Sequence, residues 1–520
     1  MNRELNISKL NQHNIWDIVV IGGGASGLGT ALEAASRGYK TIVVEQHDFA
    51  KSTSSRSTKL VHGGVRYLEQ GDVALVLEAL KERGILLKNA PHLVRKLEFV
   101  IPNYEWWGAP YYTLGLKIYD LMSGKFGFGS SEHISKEIAE EKIPNLTAEE
   151  LGSGVTYFDG QFDDSRLAIA LAQTIEDKGG VPINYMKVTN LVKNRSGMVK
   201  GVRLQDMETG EELKVNARVV INATGVFADS IIKMDDPSSE DTIVISQGTH
   251  LVVDKKFLGS DTALMIPKTS DGRVLFAVPW HDKVILGTTD TAVPDVTLEP
   301  RALEDEVEFI LRTCARYMKK IPRKEDVLSV YSGLRPLAAP EKEGKKTKEI
   351  TRGHVINISL AGLVSIIGGK WTTYRKIGED AVDNAILMGG LKDQPSISSQ
   401  MHLHGYVQDV EDDHLRYYGS DALKIRSIID KDPKMGERII ESYPYLKAEI
   451  VWAVKGEMAR SIEDFLARRI RLLFTDAQAA LDAAPIVVKI MATELGQRRK
   501  WQRLQLENFN ELAQGYLVNI

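Results

Sequence analysis

The chain has 520 residues, a formal net charge of −4 and a single cysteine, Cys314. This length is too great for one compact core, so two or three domains are expected. The nearly balanced charge gives no electrostatic indication of nucleic-acid binding. One cysteine excludes disulfides within the chain and CxxC redox chemistry, which favours a reduced cytoplasmic setting. No apolar run reaches the roughly 18 residues of a membrane-spanning helix, so any membrane contact is expected to be peripheral.

The first strongly patterned segment reads as a strand, a glycine turn, a helix and a second strand. The apolar run Ile18–Ile21 is followed by Gly22, Gly24 and Gly27 in the spacing G-x-G-x-x-G, and Glu45 ends the second strand. The first two glycines allow a tight turn and close approach of a pyrophosphate, and the third allows the helix to pack on the strand. A carboxylate at the end of the second strand can accept bonds from ribose hydroxyls. This segment predicts a dinucleotide site.

The next stretch, QHDFAKSTSSRSTKLVHGGVRYLE, is rich in Ser, Thr and Gly. A flexible linker has a similar composition, but here hydroxyl and basic residues alternate with apolar ones, unlike a solvated spacer. We therefore expect a loop that lies along a flavin and donates hydroxyl and backbone hydrogen bonds. The residues assigned to cofactor contact are Gln46, Thr53, Ser54, Lys59, Leu60 and His62.

Two later turns also face a cofactor in this interpretation. A strand over 218–221 leads into Asn-Ala-Thr-Gly, which assigns Thr224 and Gly225. A strand over 363–367 leads into Gly368-Gly369-Lys370 and then a helix, whose N-terminus is suited to a negative group. Together with the first motif, these turns indicate FAD rather than NAD alone.

Between these turns the pattern changes to short apolar runs over 242–253, 263–267, 273–279 and 283–287, separated by turn signals. Such spacing predicts an antiparallel meander inserted into the cofactor domain. An aromatic-rich stretch, Tyr104–Phe128, is interpreted as core packing, with a pocket wall or a membrane interface as the alternative.

Beyond residue 391 helical periodicity dominates, which predicts a separate helical domain. Its segment Phe465–Phe474, FLARRIRLLF, is basic and amphipathic. Packing with solvated arginines is one interpretation, and a membrane or partner surface is the other.

The predicted fold class is α/β, with a Rossmann-type FAD-binding domain, an inserted antiparallel-sheet domain for the substrate and an all-helical C-terminal domain. The FAD-binding domain is assigned to 14–90, 151–240 and 353–392, the substrate domain to 91–150 and 241–352, and the helical cap to 393–520.

Several motifs together resemble the FAD-dependent, respiratory glycerol-3-phosphate dehydrogenases. They are IGGGASG, SSRSTKLVHGGVRYLE, QGTHLVV, VPWHDKVILGTTDT, YSGLRPL, ITRGH and GGKWTTYRKIGEDA, within 17–474. The resemblance implies oxidation of sn-glycerol 3-phosphate to dihydroxyacetone phosphate, as part of glycerol metabolism. It also implies electron transfer to a membrane quinone by a cytoplasmic protein that associates peripherally with the inner face of the cell membrane. Homodimerisation is left open, and no metal is expected.

The reaction requires a phosphate clamp, a base and a positive group near the reduced flavin. Arg335 and Arg352 are assigned to the clamp, because guanidinium groups bind phosphate oxygens bidentately. His250 is the first candidate for the base and His62 the second. Lys370 is placed near the flavin or the substrate oxygen, and Tyr67 in the same pocket.

Three rival functions share the dinucleotide site. A glycerol-3-phosphate oxidase would use dioxygen, but the large insertion expected in such oxidases is missing from the sequence. Another FAD-dependent amine or hydroxy-acid oxidoreductase would need no phosphate clamp. A non-catalytic flavin-binding scaffold is the third alternative.

Overall fold

The computed structural model describes residues 1–64, 72–104, 108–269, 272–339, 353–410 and 413–518. The α-helices of these ranges are α1 (Arg3–Lys9), α2 (Ala25–Ser36), α3 (Val73–Asn89), α4 (Gly108–Ser123), α5 (Lys136–Lys142), α6 (Asp164–Asp177), α7 (Ala228–Asp235), α8 (Glu304–Cys314), α9 (Tyr374–Gly389), α10 (Ala422–Lys431), α11 (Lys447–Glu457), α12 (Leu472–Thr475), α13 (Ala477–Glu494) and α14 (Arg499–Gln514). The strands are β1 (Trp16–Ile21), β2 (Thr41–Val44), β3 (Leu60–Val61), β4 (Val94–Asn103), β5 (Glu132–Ser135), β6 (Ser153–Phe162), β7 (Val181–Ile183), β8 (Met186–Lys193), β9 (Val199–Asp206), β10 (Glu212–Asn222), β11 (Ile243–Asp254), β12 (Ala263–Ile266), β13 (Leu275–Trp280), β14 (Lys283–Gly287), β15 (Thr291–Ala292), β16 (Val327–Ala338), β17 (His354–Ile358) and β18 (Val364–Gly368).

An eight-stranded sheet carries the dinucleotide motif. Its main order is β17-β18-β10-β1-β2-β7, and β8 and β9 continue from β10. The strand β1 pairs in parallel with both β2 and β10, and β10 pairs in parallel with β18. Because parallel strands end at the same edge of a sheet, the turns after β1, β2, β10 and β18 meet there.

A ten-stranded sheet carries the inserted strands. Its main order is β15-β11-β14-β13-β12-β4-β6-β3, with β16 paired to β11 and β5 to β6. The long strands β11 and β16 are antiparallel, as are β11, β14 and β13 in succession. This sheet also includes β3 and β6, which lie within ranges assigned to the FAD-binding domain, so the chain crosses between the two sheets more often than the sequence indicated. The domain boundaries themselves stay a prediction.

The C-terminal helices pack on the ten-stranded sheet. Phe465, Leu472 and Phe474 share one hydrophobic cluster with Trp280 and Tyr331 of the sheet. A six-residue π-helical turn, Asp464–Arg469, precedes the short helix α12.

The segment FLARRIRLLF packs in the core, as its first interpretation states, but its arginines are not solvated. The alternative, a membrane or partner surface, is wrong because these side chains are buried. Arg468, Arg469 and Arg471 are fully buried. The Nε of Arg468 and the Nη1 of Arg469 lie 2.7 and 2.8 Å from Oδ2 of Asp48. Buried arginines are stable when each charge is paired, and here the acidic partners come from distant parts of the sequence.

None of the helices in the described ranges is both long enough and apolar enough to cross a bilayer.

Candidate active site

A cavity of about 810 Å³ is lined by residues of both sheets. One side is formed by the turns that follow β1, β2, β10 and β18, and the other by a face of the ten-stranded sheet. A cavity of this size and apolar lining is typical of a cofactor and small-molecule site.

The glycines after β1 adopt the roles predicted for them. Gly22 has φ +109°, and a Cβ on it would lie 2.6 Å from the carbonyl oxygen of Ala223, directly after β10. A Cβ on Gly27 would lie 1.9 Å from the carbonyl oxygen of Gly22, which fixes the close packing of α2 on the turn. Gly22 and Gly24 line the cavity. The turn therefore presents bare backbone and a helix N-terminus to the cavity, as a pyrophosphate site requires.

Glu45 lies directly after β2 and lines the same end of the cavity. Its Oε2 accepts a hydrogen bond from the N–H of Gly23 at 2.7 Å, and its Oε1 accepts one from the N–H of His47 at 2.9 Å. Burial raises the pKa of this carboxyl group, while the two backbone donors oppose that shift. Each carboxylate oxygen retains a second lone pair that can accept from a ribose hydroxyl.

The loop after β2 extends along the cavity as predicted. Of its assigned residues, those that line the cavity are Gln46, Thr53, Ser54, Leu60 and His62. The Oγ1 of Thr53 donates to the carbonyl of Leu334 in β16 at 2.6 Å, so the loop connects the two sheets.

Lys59, also assigned to cofactor contact, is the exception, because it does not line the cavity. Its Nζ lies 2.7 Å from Oδ2 of Asp164 and also donates to the carbonyl of Ser55 at 2.7 Å, fully buried behind the cavity wall. Lys59 has φ +63°, and its side chain turns away from the cavity that Thr58, Leu60 and His62 line.

The other two turns also reach the cavity. Thr224, Gly225, Gly368, Gly369 and Lys370 all line it. The main-chain N–H of His62 donates to Oγ1 of Thr372 at 3.3 Å. The structure thus brings the Gly-Gly-Lys turn next to the loop that bears His62.

The face of the ten-stranded sheet divides into a polar and an apolar half. In the β11–β16 register Ser246 pairs with Arg335 and His250 with Tyr331, so these side chains point to one face. His250 also pairs with Gly287, which pairs with Phe276, and Phe276 pairs with Met265. The cavity wall therefore passes from Arg335 and His250 to an aromatic and thioether surface.

Arg335 is held in place by Ser246 of β11 and by the residues that follow β14. Its Nη2 donates to Oγ1 of Thr288 at 3.2 Å and to the carbonyl of Thr289 at 3.0 Å, and its Nη1 lies 3.6 Å from Oδ1 of Asp290. A quarter of the side chain is exposed. A Cβ on Gly248 would lie 2.2 Å from Nη2, so glycine at this position makes room for the guanidinium group.

His250 is buried beside the polar half of the wall. Its Nε2 lies 2.9 Å from Oγ1 of Thr58, and its ring stacks on Tyr331 with centroids 4.8 Å apart. Burial, Lys59 and Arg335 together hold the pKa of His250 well below its usual range, so the ring is neutral at physiological pH. Thr58 and Tyr331 were not identified from the sequence, although the alternation that identifies Leu60 and His62 includes Thr58.

Two assigned residues, Tyr67 and Arg352, lie outside the described residues.

The donor set fits FAD. Bare glycine turns and a helix N-terminus suit the pyrophosphate, Glu45 suits the ribose, and the cavity continues to the sheet that bears His250 and Arg335. A parallel sheet with this glycine turn, joined to an antiparallel sheet across one cavity, defines an FAD-dependent oxidoreductase.

Comparisons with known proteins support this class. A family model described as FAD dependent oxidoreductase matches residues 17–375, and one described as the C-terminal domain of alpha-glycerophosphate oxidase matches residues 365–502. The chain belongs to the family of FAD-dependent glycerol-3-phosphate dehydrogenases. The predicted fold class and the predicted cofactor, FAD, are confirmed.

The mitochondrial glycerol-3-phosphate dehydrogenase of Rattus norvegicus is 40% identical over 551 aligned residues, which span 99% of this chain and 75% of the rat protein. The corresponding protein of Homo sapiens is 41% identical, with 97% and 74% covered. A crystal structure of the glycerol-3-phosphate dehydrogenase from Bacillus halodurans complexed with FAD superposes with a TM-score of 0.81 at 27% identity. It covers 99% of this chain and 97% of that protein.

Proposed function

We propose that the protein oxidises sn-glycerol 3-phosphate to dihydroxyacetone phosphate. The observation that carries the proposal is the placement of Arg335, His250 and Lys370 around one cavity with the dinucleotide turns. The family relationship supports the same reaction. Bound FAD would supply the two-electron acceptor that takes the C2 hydrogen as hydride.

Arg335 would bind the phosphate group. Its guanidinium lines the cavity, and among its acceptors Thr288 and the carbonyl of Thr289 are neutral groups that a dianion can replace. The carboxylate of Asp290 lies farther away, at 3.6 Å, and holds the guanidinium in orientation. Arg352 and Tyr67 remain part of this proposal from the sequence alone.

Lys370 and the two histidines would act at the other end of the substrate. The ammonium group of Lys370 would stabilise negative charge on the substrate oxygen or on the reduced flavin. The C2 hydroxyl proton would pass to His250 or His62, which both line the cavity, as the hydride leaves.

Anaerobic mixing tests the reaction. The FAD-reconstituted protein should bleach rapidly with glycerol 3-phosphate, and much more slowly with glycerol, which lacks the phosphate, or with glycine or lactate. Equal bleaching by lactate or glycine would favour another oxidoreductase. No bleaching by any of these compounds would favour the non-catalytic scaffold.

The proposed electron acceptor is a membrane quinone, reached by peripheral contact with the inner face of the cell membrane. The helix α4, in the aromatic-rich stretch, supports this: its Leu114, Ile118 and Leu121 form an exposed stripe spaced by four and three residues. Leu114 is 65% exposed and Leu121 82% exposed, while the neighbouring faces of α3 and α4 pack together through Val76, Leu80 and Tyr119. An apolar stripe of this kind suits insertion at a bilayer surface.

Vesicle flotation tests this contact with a matched pair of variants. Leu121→Glu should weaken binding to phospholipid vesicles. Leu387→Glu changes a leucine that is 81% exposed on α9, outside the stripe, and should leave binding unchanged. Equal effects of the two variants on vesicle binding would contradict the proposal that α4 contacts the membrane. The acceptor is tested separately: stoichiometric peroxide formation in air, without reduction of a soluble quinone, would identify a dioxygen-using oxidase.

A further inference from the structure

The imidazole of His250 has one bonded and one isolated nitrogen. Nε2 lies 2.9 Å from Oγ1 of Thr58, a side chain that lines the cavity. Among the described residues, Nδ1 has no hydrogen-bond partner, and it is buried away from the open cavity. The cavity therefore approaches His250 at the Nε2 edge, where the Thr58 hydroxyl stands.

This difference between the two nitrogens fixes the tautomer. A neutral imidazole carries one N–H and one lone pair. An N–H on the isolated Nδ1 would be a buried donor without an acceptor, which is rare and costly, whereas an isolated lone pair is tolerated better. The proton therefore belongs on Nε2, where it is donated to Thr58.

A second proton is disfavoured by the groups around the ring. Burial first, and then the positive charges of Lys59 and Arg335, lower the pKa of His250. Tyr331 covers one face of the ring, and Nζ of Lys59 lies 5.1 Å from the centroid of Tyr331. In the described part of the chain, no carboxylate forms a hydrogen bond with His250 that would stabilise an imidazolium.

The Thr58 hydroxyl is held rigidly by its neighbours on both sides. The Oγ of Ser57 and the Nζ of Lys59 each lie 2.7 Å from Oδ2 of the buried Asp164. The hydroxyl of Tyr331 donates to the carbonyl of Ser57 at 3.1 Å. Because Tyr331 also stacks on His250, the ring and the loop that carries Thr58 are fixed together.

We propose that His250 acts as a neutral hydrogen-bond donor rather than as the base, with its Nε2–H bonded to the Thr58 hydroxyl, which in turn donates to the C2 oxygen of the substrate. This inference rests on the proposed function. Bound FAD would accept the C2 hydrogen with its electron pair, a ring nitrogen of His62 would take the hydroxyl proton, and the C2–O bond would become a carbonyl. His250 keeps its proton throughout.

Three substitutions at position 250 separate a donor from a base. Glutamine places an amide N–H near the position of Nε2, asparagine places one near Nδ1, and alanine provides neither. The rate constant of anaerobic flavin reduction should fall by about 100- to 1,000-fold in His250→Ala and His250→Asn, the usual effect of removing one oriented donor. His250→Gln should recover at least tenfold over His250→Ala. Recovery of less than tenfold in His250→Gln would overturn the proposal.

Position 58 provides a second test if the position 250 variants do not retain FAD. Thr58→Val keeps the shape and removes the hydroxyl, whereas Thr58→Ser keeps the hydroxyl. The valine variant should reduce FAD at least tenfold more slowly than the serine variant, and equal rates would overturn the proposal. Failure of the wild-type protein to bleach with glycerol 3-phosphate would instead reject the proposed function itself.

Discussion

The substitution Gly248→Ala tests the phosphate clamp without removing any charge. A Cβ at this position would lie 2.2 Å from Nη2 and 2.7 Å from Cζ of Arg335. The guanidinium is the end of a flexible side chain, so we expect it to move away while the fold is retained. The substituted protein keeps the positive charge of Arg335, but the guanidinium no longer points into the cavity in the same orientation.

The expected magnitude follows from the geometry of Arg335. A charge-assisted hydrogen bond contributes about 1.5–3 kcal/mol, and about 1.4 kcal/mol corresponds to tenfold in affinity. Because a quarter of the side chain is exposed, solvent weakens the contact and the lower end applies. The KM for glycerol 3-phosphate should therefore rise about tenfold, while the melting temperature changes little.

The assay is steady-state oxidation of glycerol 3-phosphate with a dye acceptor, together with thermal unfolding. Gly115→Ala is the matched control, because a Cβ on Gly115 meets no atom within 4 Å. An unchanged KM in Gly248→Ala, with FAD content equal to that of the control, would refute the assignment of Arg335 to the phosphate.

Further predictions concern stability and cofactor binding. Asp48→Asn should lower the unfolding free energy by about 3–5 kcal/mol, because it removes the charge that pairs with the buried Arg468 and Arg469; an unchanged midpoint in denaturant would contradict this. Burial disfavours the charged form of His404, but hydrogen bonds to two aspartates raise its pKa from 6.5 to about 9. The stabilisation from His404 is thus complete below pH 6.5 and is lost as pH rises through 9. The free energy of unfolding of His404→Gln, measured by denaturation, should therefore change less with pH across this range than that of the wild-type protein. Glu45→Ala should weaken FAD binding at least tenfold in a fluorescence titration, and an unchanged Kd would remove its assignment to the ribose.

The sequence predicted the turns at the carboxyl edge of the parallel sheet well, because local rules determine them. The spacing of Gly22, Gly24 and Gly27 and the distance to Glu45 follow from one strand–turn–helix unit, and the structure places these residues accordingly. Likewise, strands that end in Gly-rich turns indicated Thr224 and Gly368, both of which line the cavity.

Residues whose role depends on distant partners were predicted poorly. Lys59 was assigned to the cofactor because it lies in the correct loop, but its ammonium is buried against Asp164, more than one hundred positions away in sequence. The segment FLARRIRLLF has the pattern of an amphipathic helix, yet two of its arginines form buried ion pairs with Asp48. Tertiary pairing of this kind leaves no periodic signal in the sequence.

The central claim is that this cavity joins FAD to a phosphorylated secondary alcohol. Its most direct test is a stopped-flow experiment in which the FAD-loaded protein is mixed anaerobically with glycerol 3-phosphate, and flavin absorbance and product are followed together. The proposed function predicts loss of the oxidised flavin spectrum with one dihydroxyacetone phosphate formed per FAD. An oxidised spectrum that persists at saturating substrate, in protein fully loaded with FAD, would contradict it.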